Sequence, residues 1–365
     1  MTTSNCLIYG ANGFTGKLIA REAVSRGLRP ILAGRRSEPI EALAGELGLP
    51  HRAFTLDETA QLDDGLNGVE AVLHCAGPFT RTSRPMVDAC LRTHTHYLDI
   101  TGEIPVVEYI RSRSSAAREA GVVLLPCLGF DVVPSDCLAA RLVAALPDAT
   151  HLDLAFSTDG GGISRGTMIS MVESAPNFGA VRRNGEIVTV PFAHDVREIE
   201  FSCGKRWTLT IPWGDLVTAH VTTGIPNITV YAGAPPRVIA RARRLSPLLS
   251  ILGPRPVKRL LQWWIGLMVT GPNDEARSTA RAHLWGEARN AAGDTRTATL
   301  ETPEGYTLTA TAAVESLRRV LEGAIEPGFQ TPAKAFGIFF VDGLPGVTAS
   351  DVVSRPPTTA PERRV

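Results

Sequence analysis

The sequence predicts an α/β protein: a doubly wound parallel sheet followed by a second α+β domain built on a largely antiparallel sheet. Three observations predict it. Strand and helix signals alternate through the first third of the 365 residues, as parallel strands joined by crossover helices do. The chain opens on an apolar strand, a glycine-spaced turn and a helix. Beyond about residue 147 the alternation gives way to successive strand-like runs.

The elements follow in order. Leu7–Tyr9, Pro30–Ala33, His51–Leu56 and Ala71–Cys75 read as strands, with helices at Lys17–Arg26, Ile40–Leu47 and Thr59–Leu66 between them. Helices at Arg84–Arg92 and Pro105–Ala120 flank a strand at Tyr97–Ile100. Gly121–Pro126 is a further buried strand, and a helix runs from Pro134-Ser-Asp136 to about Ala145. The second sheet is expected from His151–Ser157, Glu186–Pro191, Arg206–Ile211, Asn227–Tyr231, Ala280–Ala288, Thr295–Glu301 and Tyr306–Ala312. The glycine turn 160–162 opens a helix at Thr167–Glu173, and Val314–Glu322 is an amphipathic helix. These signals divide the chain into residues 1–147 and 148–324. A tail at 355–365, rich in Pro, Thr and charge, reads as disordered.

The most informative stretch is the first turn. Cys6-Leu-Ile-Tyr9 is followed by Gly10-Ala-Asn-Gly13-Phe-Thr-Gly16, and helical spacing begins at Lys17. Glycines let the backbone approach a pyrophosphate, and a helix N-terminus offers unpaired N–H groups and a positive dipole. The spacing is G-x-x-G-x-x-G rather than the G-x-G-x-x-G fingerprint, and its place between strand and helix gives it weight. The next strand ends in Gly34-Arg35-Arg36, where an NAD site would place a carboxylate. Two guanidiniums suit a 2′-phosphate instead. The residues read as a Rossmann-type NADP site contacted by Gly10, Asn12, Gly13, Phe14, Thr15, Gly16, Arg35 and Arg36. Ala76, Gly77 and Pro78, just past the strand at 71–75, are further cofactor contacts, because little or no side chain bars approach to that backbone.

Bulk properties exclude other classes. Basic and acidic residues balance at 37 each, so no global field favours nucleic acid. The six cysteines are scattered, with no C-x-x-C pair and no sequence clustering with His. That pattern fits a reducing cytoplasm, and no metal site is expected. No signal peptide is expected before Cys6.

Three further stretches, Val72-Leu-His-Cys-Ala-Gly-Pro-Phe79, Thr95-His-Tyr-Leu-Asp-Ile-Thr-Gly-Glu103 and Leu128-Gly-Phe-Asp-Val-Val-Pro-Ser-Asp136, join the glycine loop. Together they resemble the saccharopine dehydrogenase-like oxidoreductases, in the branch that holds the trans-acting enoyl reductases. The resemblance implies an NADP-dependent oxidoreductase. It also implies that elements at about 325–350 return to the first domain, and that the second domain covers the nicotinamide.

Residues just past the strand ends are the candidate chemical groups. Tyr97, Asp99 and Glu103 surround the end of one strand, and Asp131 follows the next. A carboxylate there serves as acid or base, or orients the nicotinamide. The competing reading has Asp99 satisfying backbone N–H groups and Glu103 capping the following helix. Asp136 reads as a helix-start residue. Hydride chemistry belongs to the cofactor, so two reactions stay open: reduction of a C=C bond in an apolar acyl or polyketide-like chain, and reduction of an imine or amino-acid precursor.

Residues 237–268 are basic and rich in Trp and Leu, with no acid from 236 to 273. They suit an acyl-chain pocket or a membrane surface. The alternative is a helical hairpin packed on its own domain or on a homodimer partner. A third class of protein stays in view, a non-catalytic nucleotide-binding peripheral membrane protein.

Overall fold

The computed structural model describes residues 5–174, 179–245, 255–268 and 271–355. The first unit runs β1 (Cys6–Tyr9), α1 (Phe14–Ser25), β2 (Ile31–Gly34), α2 (Ser37–Leu47), β3 (His51–Ala53), α3 (Thr59–Gly65) and β4 (Ala71–His74). It continues through α4 (Phe79–Thr93), β5 (His96–Asp99), α5 (Ile104–Ser112), α6 (Ser114–Glu119), β6 (Val123–Leu125) and α7 (Val133–Ala145). The stretch expected as one helix at 105–120 is broken at Arg113 into α5 and α6.

The second unit comprises β7 (Ala149–Asp159), α8 (Arg165–Ser174), β8 (Ala180–Arg183), β9 (Glu186–Thr189), β10 (Val196–Phe201) and β11 (Gly204–Thr210). After these come α9 (Asp215–Thr223), β12 (Asn227–Gly233), α10 (Pro236–Leu245), α11 (Arg255–Met268), α12 (Asp274–Thr279), β13 (Arg281–Asn290) and β14 (Thr295–Pro303). The chain ends with α13 (Gly305–Leu321), β15 (Gly328–Phe329), α14 (Pro332–Phe336), β16 (Thr348–Ala349) and β17 (Val353–Arg355).

The first sheet has the order β15-β6-β5-β4-β1-β2-β3, all parallel. Its strand order reverses between β1 and β4, where Cys6 to Tyr9 lie opposite Ala71 to His74. Ligands of such sheets bind at that reversal, beyond the carboxyl ends of the strands. The second sheet is mixed. β12 and β7 are parallel, and its other pairings are antiparallel. Helix α7 packs on β7, β13 and β14 of the second sheet and against α9 and α14, and it is buried on nearly every side, as a helix apolar around its circumference must be. Its two charged residues are satisfied. Asp136 accepts from Thr222 Oγ1 at 2.6 Å and from the Ala333 backbone N–H at 2.8 Å, and Arg141 pairs with Asp342. Asp136 thus ties α7 to α9 and α14, beyond its place in the helix's first turn.

Two expectations are corrected. Tyr306–Ala312 is not a strand but the first half of α13. The alternation of Thr and apolar residues mimics a period of two. The Glu304 carboxylate, however, accepts from the Tyr306 and Thr307 N–H groups at 2.9 and 3.0 Å and starts a helix. Thr309 and Thr311 then turn their hydroxyls back onto the Gly305 and Thr307 carbonyls.

The return to the first sheet begins at Gly305 rather than at about 325. Ala310, Ala313, Val314, Leu317 and Val320 of α13 share one core with Ile19, Ala20 and Ala23 of α1. Past α13 the segment divides: β15 extends the first sheet beyond β6, while β16 and β17 pair with β14 in the second. Of the expected disordered tail, residues 356–365 lie outside the described residues.

Candidate functional site

The glycine loop is built by close backbone packing. Gly10 has φ +82°, and a Cβ there would lie 2.8 Å from the Ala76 backbone nitrogen. A Cβ on Gly16 would lie 2.3 Å from the Gly10 carbonyl oxygen. The ends of β1 and β4 and the first turn of α1 therefore meet only because both positions lack side chains. Gly13, at the N-cap of α1, brings no side-chain cap, and the first turn contains no acid. The N–H groups of Phe14, Thr15 and Gly16 are left to the crevice, the arrangement that receives a phosphate. Arg35 and Arg36 are exposed just past β2, and Asn12 Oδ1 lies beside Gly34. The structure thus gathers the sequence-predicted residues of this loop at one crevice. A backbone cradle that any Cβ would fill, with two guanidiniums nearby, fits a dinucleotide carrying a 2′-phosphate.

The exit of β4 is held from beneath. Thr82 Oγ1 donates to the Ala76 carbonyl at 2.6 Å. His74 Nε2 lies 3.0 Å from the same hydroxyl. The hydroxyl's one hydrogen goes to Ala76, so Nε2 must be the donor, which assigns the tautomer. Burial lowers the His74 pKa to about 3 and keeps the ring neutral. Ala76, Gly77 and Pro78 are positioned by this stack, and Gly77 is exposed at the crevice.

Glu103 does not cap the helix that follows it. Its Oε1 accepts from Phe79 N–H at 3.1 Å and Ser170 Oγ at 3.0 Å, and its Oε2 from Thr80 N–H at 3.0 Å. The carboxylate caps α4 across the crevice and ties it to α8 of the second unit. The N-termini of α1 and α4 differ accordingly: the first is open to a ligand, and the second is occupied by the protein's own carboxylate. Burial raises the Glu103 pKa, and its three hydrogen bonds oppose that shift.

Tyr97 and Asp99, expected among the candidate chemical groups, are both fully buried. The Tyr97 hydroxyl donates to Asp99 Oδ2 at 2.7 Å. Asp99 Oδ1 accepts from the Thr101 and Cys127 N–H groups at 3.0 and 2.9 Å. The pair staples the exits of β5 and β6 together from below. Burial raises the Asp99 carboxyl to about 6 against the pull of these bonds. The reading in which Asp99 satisfies backbone N–H groups describes the structure.

Asp131 remains at the crevice. Its Oδ2 crowds Gly102, where a Cβ would lie 2.7 Å away. Burial, then the charge of Glu103, raises its carboxyl to about 7. Its backbone carbonyl accepts from Trp213 Nε1. Half-buried Phe130, Phe156 and Trp213 form an aromatic wall there, with centroids 5.6 and 5.2 Å apart. Beneath it lies Asp215, whose pKa is raised well above the ordinary value by burial, with Asp136 and Asp131 adding to the shift.

Several contributors escape sequence reasoning. The Tyr306 ring meets Phe14 of the glycine loop edge-on at 5.0 Å. Its hydroxyl accepts from Ser164 N–H at 2.7 Å and lies 2.8 Å from Thr167 Oγ1. Thr309 Oγ1 accepts from Phe130 N–H at 3.0 Å. Helix α11 packs on α8, so the basic, Trp-rich segment adjoins the crevice through Ser170. Trp264 and Met268 of α11 are exposed. Of the basic, Trp-rich segment, residues 246–254 lie outside the described residues. Among the described residues no helix is long and apolar enough to cross a membrane.

Comparison with known proteins agrees with this geometry. Residues 6–125 match the family model of the saccharopine dehydrogenase NADP-binding domain. A trans-acting enoyl reductase of Mycobacterium leprae (strain TN) is 36% identical over 140 residues, covering 36% of this chain and 33% of that protein. A putative trans-acting enoyl reductase of Mycobacterium tuberculosis (strain ATCC 25618 / H37Rv) is 34% identical over 180 residues, covering 46% of this chain and 43% of that protein. The matches thus span less than half the length of these curated relatives. The apo saccharopine dehydrogenase (L-Glu forming) of Saccharomyces cerevisiae superposes with a TM-score of 0.66 at 14% identity, over 95% of this chain and 99% of that one; this likeness shows the fold. The glycine cradle and the strand order agree with the matched model, so residues 6–125 form a domain of the saccharopine dehydrogenase NADP-binding type.

Proposed function

We propose that the chain is an NADP-dependent oxidoreductase that reduces a C=C bond of a largely apolar, acyl or polyketide-like substrate. The observation that carries this reading is Asp131, a carboxyl raised to about 7 beside an aromatic wall. An acid whose pKa lies near neutrality gives up a proton most effectively at working pH, and aromatic neighbours suit an apolar chain. The curated relatives described as trans-acting enoyl reductases support the same chemistry.

The chain's residues divide the work. The α1 N-terminus, with Gly10 and Gly16 beneath it, takes the pyrophosphate, and Arg35 and Arg36 take the 2′-phosphate. Glu103 fixes the exit of β5 against α4 and α8. Asp131 Oδ2 holds the proton for the carbon alpha to the substrate carbonyl. When bound, NADPH supplies a hydride, and hydride plus proton saturate the double bond. Helix α11, with Trp264 and Met268 exposed, forms the mouth through which the chain enters. We take residues 1–147, with α13 and β15 added, as the cofactor unit and the remainder as the substrate unit.

The test is NADPH consumption with 2-enoyl thioesters of graded chain length. A kcat/KM that rises with chain length, and falls about 100-fold or more in Asp131→Asn, supports the reading. Turnover of a small oxo acid with an amine, and none of any enoyl thioester, overturns it in favour of imine reduction. Replacing Arg35 and Arg36 together by Ala should abolish the preference for NADPH over NADH. Equal use of both cofactors by the unaltered protein would refute the role of the pair.

A further inference from the structure

The outer face of the second sheet carries a cluster that the crevice does not use. Along β7, Leu152, Leu154 and Phe156 face the central core, so alternation turns Asp153, Ala155, Ser157 and Asp159 outward. On the neighbouring β13, His283 faces outward beside Trp285. The β10–β11 hairpin folds over this face and packs Ile199 and Phe201 on Trp285. Its two-residue turn, Ser202-Cys203, brings Cys203 to Asp159 and His283. One ligand atom from each of the three lies within 4.8 Å of the others.

The hydrogen bonding around His283 is that of a metal ligand. The residue is 5% exposed. Its Nδ1 lies 2.8 Å from Ser202 Oγ and 3.6 Å from Glu301 Oε2. A proton on Nδ1 donates to Ser202 Oγ, with the Glu301 carboxylate beside it, and turns the Nε2 lone pair toward Asp159 Oδ2, 3.3 Å away. Arg206 approaches the other carboxylate oxygen, Asp159 Oδ1, at 3.6 Å. A lone pair, a carboxylate oxygen and a thiol then lie within 4.8 Å of one another, close enough for one cation to draw them together. Tetrahedral bonds of about 2.0–2.1 Å to nitrogen and oxygen give an N···O edge of about 3.3 Å, which is the separation seen. Metal-bound histidines commonly donate their other ring N–H to an oxygen acceptor, the role Ser202 fills here with the Glu301 carboxylate beside it.

We propose that Asp159, Cys203 and His283 bind a divalent transition metal, zinc by ligand type, with water completing the tetrahedron. The ion clips the β10–β11 hairpin to β7 and β13, at the point where the chain leaves β7 for Ser164 and α8. The sequence showed no such site because its ligands are 44 and 80 residues apart, and only sheet pairing unites them.

The full-length protein, stripped with chelator, is titrated with Zn²⁺ and separately with Co²⁺. One equivalent of zinc should bind, and the Co²⁺ form should show a thiolate-to-metal charge-transfer band. Cys203→Ser, a part-exposed turn position, should abolish that band and weaken zinc at least 100-fold. Glu301→Gln, which removes only the outer partner, should weaken zinc about 10–100-fold. NADPH affinity in Cys203→Ser should stay unchanged, which separates this site from the cofactor crevice. No saturable uptake by the unaltered protein would overturn the proposal and leave His283 as a partner of Ser202, Asp159 and Glu301. Equal zinc affinity of the unaltered and Cys203→Ser proteins, or a Co²⁺ spectrum without the thiolate band, would overturn it too.

Discussion

Asp131 and His74 show how burial of single residues shifts their titration, with opposite dependence on pH. The Asp131 carboxyl is raised to about 7, so the folded protein binds its proton more tightly than the unfolded chain does. Its effect on stability is therefore unfavourable above pH 7 and fades as pH falls toward the unfolded value near 3.8. Asp131→Asn should stabilise the protein at pH 8 by about 1–2 kcal/mol, after allowance for partial exposure. At pH 4 the two proteins should unfold at the same midpoint in denaturant. In activity, the unaltered protein should lose rate as pH rises through about 7, and the variant's residual rate should show no such limb. His74 behaves oppositely. Its pKa is lowered to about 3 from 6.5, so its contribution is full above pH 6.5 and is lost as pH falls toward 3. Replacing His74 by Gln should remove that part of the acid sensitivity, read from urea midpoints between pH 7 and 4.

The glycine loop and α4 are matters of whole elements. The first turn was legible in the sequence because strand, glycine spacing and helix lie within twenty residues, and each glycine answers a backbone contact. Gly16→Ala places a Cβ 2.3 Å from the Gly10 carbonyl. It should cost about 1–3 kcal/mol of stability and weaken NADPH binding more than tenfold, measured by fluorescence titration. The start of α4 was not legible, since its cap, Glu103, is 24 residues from Phe79 and reaches it through the tertiary fold. Glu103→Gln keeps the shape but brings an amide N–H against one backbone donor. It should raise amide exchange over residues 79–82 and near Ser170, and leave α1 unchanged. Tyr306–Ala312 misled for a physical reason: threonines alternate with apolar residues, and only the preceding Glu304 and the helical spacing onto α1 decide for a helix.

Across the whole molecule, α13 joins the two sheets to the crevice. Tyr306 at its start touches Phe14 and receives Ser164 N–H, and its later residues pack on α1. Tyr306→Phe keeps the ring against Phe14 and removes the hydroxyl. It should cost about 1 kcal/mol and speed amide exchange at 164–168, with the core of the first sheet unaffected. The parallel sheet and its glycine loop were readable from local pattern. What was hidden came from pairing distant segments, as with Ser170 on Glu103 and Thr309 on Phe130.

Helix α13 also limits how this protein can be cut apart. A fragment ending near residue 147 would contain every residue of the glycine turn, yet it would strip the covering from Ile19, Ala20 and Ala23. Such a truncation would present a greasy stripe to solvent and clump when expressed alone. Anyone wanting the nucleotide half by itself would have to graft residues 305–330 back on, as a circular permutant or a co-expressed peptide.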